Sequence, residues 1–195
     1  MPKIVTRLGI PLMLIVGVIF ALVALFSAGG QPDRADGLDR FAIGDLEPLQ
    51  FYADTPQPLG GFEDADGEMR TLAEWRGKVI VLNLWGEWCA PCIEEMPTLA
   101  ELQTAFSRED VVVLAVAMDR EVNREANRST LASLAGDQLS FYFDMSYGLA
   151  YEARAAGFPT TLIYDRDGLE IARLSGAADW ASEAAKGLIS DLVAR

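Results

Sequence analysis

Trp85-Gly86-Glu87-Trp88-Cys89-Ala90-Pro91-Cys92 carries the only two cysteines in 195 residues. A Cys-x-x-Cys pair either closes a small redox disulfide or supplies half of a zinc site. Zinc takes four ligands, usually Cys or His. The chain has no His and no third Cys, so a zinc site would need two carboxylates, and the ligand count favours a redox pair. The absence of His also removes most imidazole chemistry, which leaves the sulfurs as the reactive groups of any enzyme built on this sequence. The pair is a poor structural staple, because disulfide stabilisation is expected to grow with the loop it closes.

Outward from the pair, the chain alternates between strand and helix patterns. Lys78 to Trp85 is a near-continuous apolar run of strand length, as in a central strand covered on both faces. Pro91 to about Ser107 has helical spacing with Met96, Leu99, Leu102 and Phe106 on one side; Pro91 suits a first turn and Pro97 is expected to kink the helix. Asp110 to Ala117 reads as a second buried strand, Glu121 to Ala135 as a helix, Leu139 to Phe143 as a short strand and Tyr147 to Ala155 as another helix. Pro159 to Asp165 and Leu169 to Leu174 flank Asp165-Arg-Asp-Gly168, a hairpin signal. Trp180 to Val193 reads as a closing amphipathic helix with Asp179 as its N-cap. Before the Cys pair, Phe41 to Phe62 reads as loops with an edge hairpin, Asp64-Ala-Asp-Gly67 as a turn, and Thr71 to Trp75 as one helical turn. The order β-α-β-α-β-α-β-β-α predicts an α/β fold, a mixed central sheet with helices on both faces.

The N-terminus differs from the rest. Residues 8–28 carry no charge and are long enough to cross a bilayer core as one helix. Lys3 and Arg7 precede them and no acidic residue does. The positive-inside rule then places 1–7 in the cytoplasm and the remainder outside. The run exceeds the usual apolar region of a cleaved signal peptide, which favours a retained anchor; cleavage after Gly29, with Ser27 two residues before it, is the alternative. The expected organisation is a cytoplasmic N-terminus at 1–7, a transmembrane anchor at 8–28, a polar linker at 29–40 and an exported domain at 41–195. All 29 acidic residues and all but two of the 16 basic ones follow position 28. Such an acidic domain argues against nucleic acid and against charge-driven binding to anionic lipid.

Cys89 follows a strand and opens a helix. A thiolate there lies near unpaired backbone N–H groups and the positive end of the helix dipole, both of which lower its pKa. The expected reaction is thiol–disulfide exchange: Cys89 attacks a partner disulfide, and Cys92, one turn on and more buried, resolves the mixed disulfide. The motif leaves the direction of electron flow open. Gly157-Phe158-Pro159-Thr160-Thr161 is a second candidate element. An X-Pro bond just before a strand is a candidate cis site, and a cis Pro159 beside the sulfurs would turn the Phe158 backbone outward to pair with a substrate segment. An ordinary loop proline is the alternative.

Lys78 to Pro97, with Trp-x-x-Trp-Cys-x-Pro-Cys followed by Ile93-Glu94-Glu95-Met96-Pro97, resembles the thioredoxin fold, and within it the membrane-anchored TlpA/ResA-type thiol–disulfide oxidoreductases. The likeness continues through Gly157 to Thr161, Asp165 to Gly168 and Gly176-Ala-Ala-Asp-Trp180-Ala-Ser-Glu, the last stretch being most similar to the TlpA branch. The resemblance implies a thioredoxin fold with an N-terminal extension and an insertion around 119–140. It implies Cys89 as exposed nucleophile, Cys92 as resolving thiol and Pro159 in cis, with no cofactor beyond the Cys89–Cys92 disulfide and no metal. Asn83 stands where thioredoxins carry a buried Asp. Glu95 matches an acid that ResA-like members keep near the sulfurs, where it would raise the thiol pKa values and shuttle the Cys92 proton; a solvated helix residue is the alternative. Trp88, Ala90, Pro91 and Phe158 are expected to touch the substrate, while Trp85 packs beneath the loop.

The resemblance also implies a single-pass protein of the bacterial inner membrane with its domain in the periplasm. It would reduce disulfides of apocytochrome c, of a copper chaperone or of a cytochrome oxidase subunit. A membrane thiol carrier would supply the electrons, and the soluble domain would be monomeric. A disulfide oxidase or isomerase, and a copper-binding assembly factor holding Cu(I) between the two sulfurs, are the competing readings.

Overall fold

The computed structural model describes residues 35–195. The expected segments 1–7 and 8–28, and the first part of the linker, lie outside the described residues. Among the described residues no helix is long and apolar enough to cross a membrane.

Two 3-10 turns, Leu38–Phe41 and Gly44–Leu46, lead into β1 (Gln50–Pro56). Then come β2 (Gly61–Glu63), β3 (Met69–Thr71), a 3-10 turn at Leu72–Trp75, β4 (Val79–Trp85) and α1 (Ala90–Ala105). β5 (Val111–Met118) is followed by a 3-10 turn at Glu121–Asn123, α2 (Arg124–Ala135), β6 (Tyr142–Asp144) and α3 (Gly148–Glu152). β7 (Thr160–Tyr164), β8 (Leu169–Ser175) and α4 (Glu183–Val193) complete the domain.

The strands form one mixed sheet in the order β1-β8-β7-β4-β5-β6-β2-β3. β4 and β5 are parallel, as are β5 and β6, whereas β7 runs antiparallel to β4. Every residue of β4 and β5 is buried, which is why both strands read as unbroken apolar runs rather than alternating ones. Their side chains still alternate between two cores. Val79, Val81 and Trp85 pack with residues of α1, α2 and α4; Ile80, Leu82 and Leu84 pack with Leu72, Leu149 and Phe62 on the other face. Asn83 therefore points into the face that α1 covers.

The turns are built by aspartates. Asp64 Oδ1 accepts the N–H groups of Asp66 and Glu68 at the β2–β3 hairpin, and Asp165 Oδ1 accepts those of Asp167 and Leu169 between β7 and β8. Thr71 and Glu74 form a capping box on the 3-10 turn, so the single helical turn expected there is present.

Several boundaries differ from the sequence reading. The closing helix begins at Glu183, capped by the Ser182 hydroxyl accepting from Ala185 N–H, not at Trp180 with Asp179 as cap. Residues 176–182 are instead a loop committed to contacts with α1. The strand expected at 139–143 is found at Tyr142–Asp144, and the Asp144 carboxylate accepts the Ser146 and Leu149 N–H groups just beyond its end. The described end of the linker segment is docked. Leu38 is fully buried in the larger core, and Arg40 lies over the Phe41 ring and pairs with Asp191 on α4. Truncating a fully buried leucine typically costs about 2–5 kcal/mol. Leu38→Ala should lower stability by that amount in urea unfolding followed by tryptophan fluorescence, whereas a true linker residue would leave the midpoint unchanged.

Candidate active site

Cys89 occupies the N-cap position of α1 and Pro91 lies in the first turn, where its missing N–H leaves no hydrogen bond unmade. No acidic residue sits in that turn. The sulfur therefore meets the positive end of the helix dipole without an opposing carboxylate there. Cys89 and Cys92 form a disulfide with an S–S distance of 2.06 Å. Cys92 is fully buried, and Cys89, expected to be the exposed sulfur, keeps only 5% of its surface accessible. The order of exposure is as expected, but most of the Cys89 surface is covered.

The surroundings present an apolar rim. Trp88 is half exposed at 53%, and its ring stands edge-on to Phe158 with centroids 5.5 Å apart. Tyr147 packs on the same Phe158 at 6.3 Å. The Trp88 indole N–H donates to the Met118 carbonyl at 3.3 Å. A Cβ at Gly86 would come within 2.6 Å of the indole nitrogen, so this ring position requires glycine. Ala90 and Pro91 are exposed beside it, and Trp85 is buried beneath.

The loop preceding Cys89 is held from the segment between β5 and β6. Glu87 N–H donates to Asn127 Oδ1 at 2.9 Å, and Asn127 Nδ2 donates to Asp119 Oδ2 at 2.9 Å. Sequence reading missed Asn127 and Asp119. They lie 40 and 32 positions beyond Glu87, and nothing in their local pattern sets them apart from other helix and loop polar residues.

β7 stands beside β4 with Thr160 opposite Leu84 and Thr161 opposite Asn83. The Phe158–Pro159 peptide thus lies beyond the same end of β4 from which the Cys89 loop departs. That peptide is cis. Pro159 is buried and Phe158 half-buried, and the Pro159 carbonyl accepts from Gly176 N–H at 2.9 Å.

Glu95 is not a solvated helix residue. Only 2% of it is exposed, and it lies three residues beyond Cys92 on the same side of α1. Its Oε1 accepts from Asn83 Nδ2 at 2.7 Å; its Oε2 accepts from Ala178 N–H and Trp180 Nε1–H, each at 3.1 Å. Burial pushes its carboxyl up from 4.5 to about 7, against the lowering effect of those three donors. Asn83 Nδ2 also donates to Thr161 Oγ1 at 2.9 Å, while Asn83 Oδ1 is buried with no protein partner. Turning the amide over exchanges Oδ1 and Nδ2, so Asn83 can donate to an ionised Glu95 or accept from a protonated one. The site thus combines a polarised, sparingly accessible sulfur, a fully buried second sulfur and a buried acid able to change protonation near neutral pH.

A model of the AhpC/TSA family matches residues 53–173. The thiol-disulfide oxidoreductase ResA of Geobacillus thermodenitrificans is 30% identical over 105 residues, covering 54% of this chain and 59% of that one. The ResA of Bacillus thuringiensis strain Al Hakam is 27% identical over 139 residues, covering 68% and 73%. The chain thus spans about three-fifths of the length of the first relative and nearly three-quarters of the second. A thiol:disulfide interchange protein, thioredoxin family protein from Chlorobium tepidum TLS superposes with a TM-score of 0.60 at 18% identity, over 74% of this chain and 99% of that one. A DsbF homologue from Corynebacterium diphtheriae does so with a TM-score of 0.60 at 22% identity, over 76% and 93%. At these identities the two superpositions establish a shared thioredoxin-like fold.

A folded-state carboxyl at about 7, against 4.5 when solvated, binds more protons folded than unfolded between those values. Stability from this group is full below about pH 4.5 and lost as pH rises through about 7, a change on the order of 3 kcal/mol. Urea midpoints measured from pH 5 to 8 should fall more steeply in the native chain than in Glu95→Gln; parallel curves would contradict the assignment.

Proposed function

The chain belongs to the AhpC/TSA family, and from that premise we propose that it is a thiol–disulfide oxidoreductase working as a protein-disulfide reductase. The observation that carries this reading is the Cys89–Cys92 disulfide at the start of α1, set at the same end of the central strands β4 and β7 as the cis Phe158–Pro159 peptide. In the reduced form, the Cys89 thiolate attacks one sulfur of a partner disulfide. A mixed disulfide forms and one partner thiolate leaves. Cys92 loses its proton and attacks Cys89 Sγ, closing the Cys89–Cys92 disulfide and releasing the second partner thiolate. Two electrons pass to the partner, and the two protons given up by the cysteines balance those its thiols take up. In this reading Glu95, three residues beyond Cys92 on α1, takes the proton of the fully buried Cys92.

Two features support reduction as the direction. Ala90 and Pro91 bring no charged or donor side chain to stabilise a Cys89 thiolate, and the nearby Glu95 carboxylate disfavours thiolates in the pair. Beyond the helix N-terminus, no side chain between the cysteines stabilises the Cys89 thiolate, and a dithiol with weakly stabilised thiolates gives up its electrons more readily than one with strongly stabilised thiolates, which makes an oxidant. The exposed Trp88, Ala90 and Pro91 and the half-buried Phe158 form the substrate rim, with the Phe158 backbone available for strand-like pairing.

The finer reading follows the ResA relatives and the apolar segment 8–28. The protein is held in the bacterial inner membrane by that segment, with its domain in the periplasm and no part in nucleic-acid binding. It uses no cofactor besides the cysteine pair and works as a monomeric domain. It receives electrons from a membrane thiol carrier, and it reduces the haem-attachment cysteines of apocytochrome c or the copper-site cysteines of a chaperone or cytochrome oxidase subunit.

Cys92→Ser should accumulate Cys89 in a mixed disulfide with such a protein, released by added dithiothreitol and identifiable by mass spectrometry. Cys89→Ser should trap nothing. Trapping by Cys89→Ser alone would reverse the assigned roles, and a trapped partner lacking haem- or copper-site cysteines would remove the finer reading.

A further inference from the structure

Gly176-Ala-Ala-Asp-Trp180, the loop between β8 and α4, is absorbed by none of the exchange steps, yet it touches both halves of the site. Gly176, at φ +116, turns the chain out of β8, and its N–H donates to the Pro159 carbonyl at 2.9 Å. Two residues on, the Ala178 N–H reaches Glu95 Oε2 at 3.1 Å. Trp180 then crosses back onto α1. Its backbone N–H donates to Thr98 Oγ1 at 3.0 Å, and its indole N–H donates to the same Glu95 oxygen at 3.1 Å. Trp180 has no exposed surface. A buried indole is fully satisfied by apolar packing plus one acceptor. Here the one acceptor is the carboxyl group that the exchange reaction needs.

We propose that Trp180 is a positioning residue for Glu95, its indole N–H and the Ala178 amide holding one carboxyl oxygen while Asn83 holds the other, so that the acid is fixed for proton exchange with the cysteine pair. The inference rests on the reading of Glu95 as the proton acceptor for Cys92. Both loop donors favour the ionised carboxylate, so the loop opposes burial and keeps the group titrating near neutrality rather than locked protonated. Glu95 also lines a cleft of about 240 Å³, together with Asp45, Glu94, Thr98 and residues 177–179. The charged groups lining it are Asp45, Glu94 and Asp179, all acidic; Asn83 and Thr161 face Glu95 from β4 and β7 without charge. The loop forms one wall of this cleft.

Trp180→Phe removes the indole donor and keeps most of the ring volume. Hydrogen bonds to a charged group are worth enough to move a titration by about one pH unit. In the full chain, the carboxylic C=O infrared band that Glu95→Gln abolishes should titrate about one pH unit higher in Trp180→Phe. The pH profile of disulfide exchange should move with it, and Trp180→Phe should have no further effect on that profile in a Glu95→Gln background. Thr98→Val, which frees the Trp180 backbone while leaving the indole intact, should move the band in the same direction by less. An unmoved band in both variants overturns the inference. A band that moves while the exchange profile stays put upholds the positioning role and instead removes Glu95 from the exchange reaction.

Discussion

A carboxyl group removed from water, Glu95, draws three N–H donors onto its two oxygens, and the arrangement of the site depends on that contact. Burying an ionised carboxylate without partners costs several kcal/mol. The donors that offset this come from distant stretches: Asn83 on β4, and Ala178 and Trp180 on the loop after β8. Helix α1, which carries Glu95, also carries both sulfurs. Satisfying one acid therefore ties the cysteine helix to the central strand and to the segment that anchors Pro159 through Gly176. Three donors do not cancel the burial cost, and the carboxyl is left near 7, where a small change in its surroundings changes its charge.

Apolar patterning made most of the sheet legible. β4 and β5 are covered on both faces, so their sequences are uniformly apolar and stand out; β7 and β8 were delimited by the Asp165–Gly168 turn, whose aspartate oxygen does accept the N–H groups that define it. The helix opening at the cysteines was marked by Pro91. Elements shaped by long-range contacts were not legible in the same way. The start of α4 was misplaced because Trp180 looks like the first apolar residue of an amphipathic helix, whereas its indole is committed to Glu95. The 35–40 segment looks like linker by composition, yet Leu38 belongs to the core.

At the site, the two sulfurs were readable because they belong to a short contiguous motif; the cis Phe158–Pro159 bond was implied by the family resemblance rather than by the local pattern, and Tyr147, which packs on Phe158, carried no signal. Glu95 was singled out by the family resemblance, while the residues alone left it open as a solvated helix residue; its burial depends on what packs across α1, which spacing along the helix does not reveal. Asn127 and Asp119, which hold the loop before Cys89, carry no local signal at all. Cys89 proved less accessible than an exposed nucleophile would be.

On the proposed reading the pair is a reductant whose Cys89 thiolate is favoured by the helix N-terminus but by no charged or donor side chain between the cysteines, with a buried acid handling the proton of the resolving cysteine. The reduction potential of Cys89–Cys92, followed by tryptophan fluorescence during equilibration with glutathione at pH 7, tests this most directly. A potential at or below about −220 mV, in the range of glutaredoxins and thioredoxin, is the predicted result. A value between about −120 and −180 mV, in the range of DsbA and protein disulfide isomerase, would contradict it and make the protein an oxidant or isomerase.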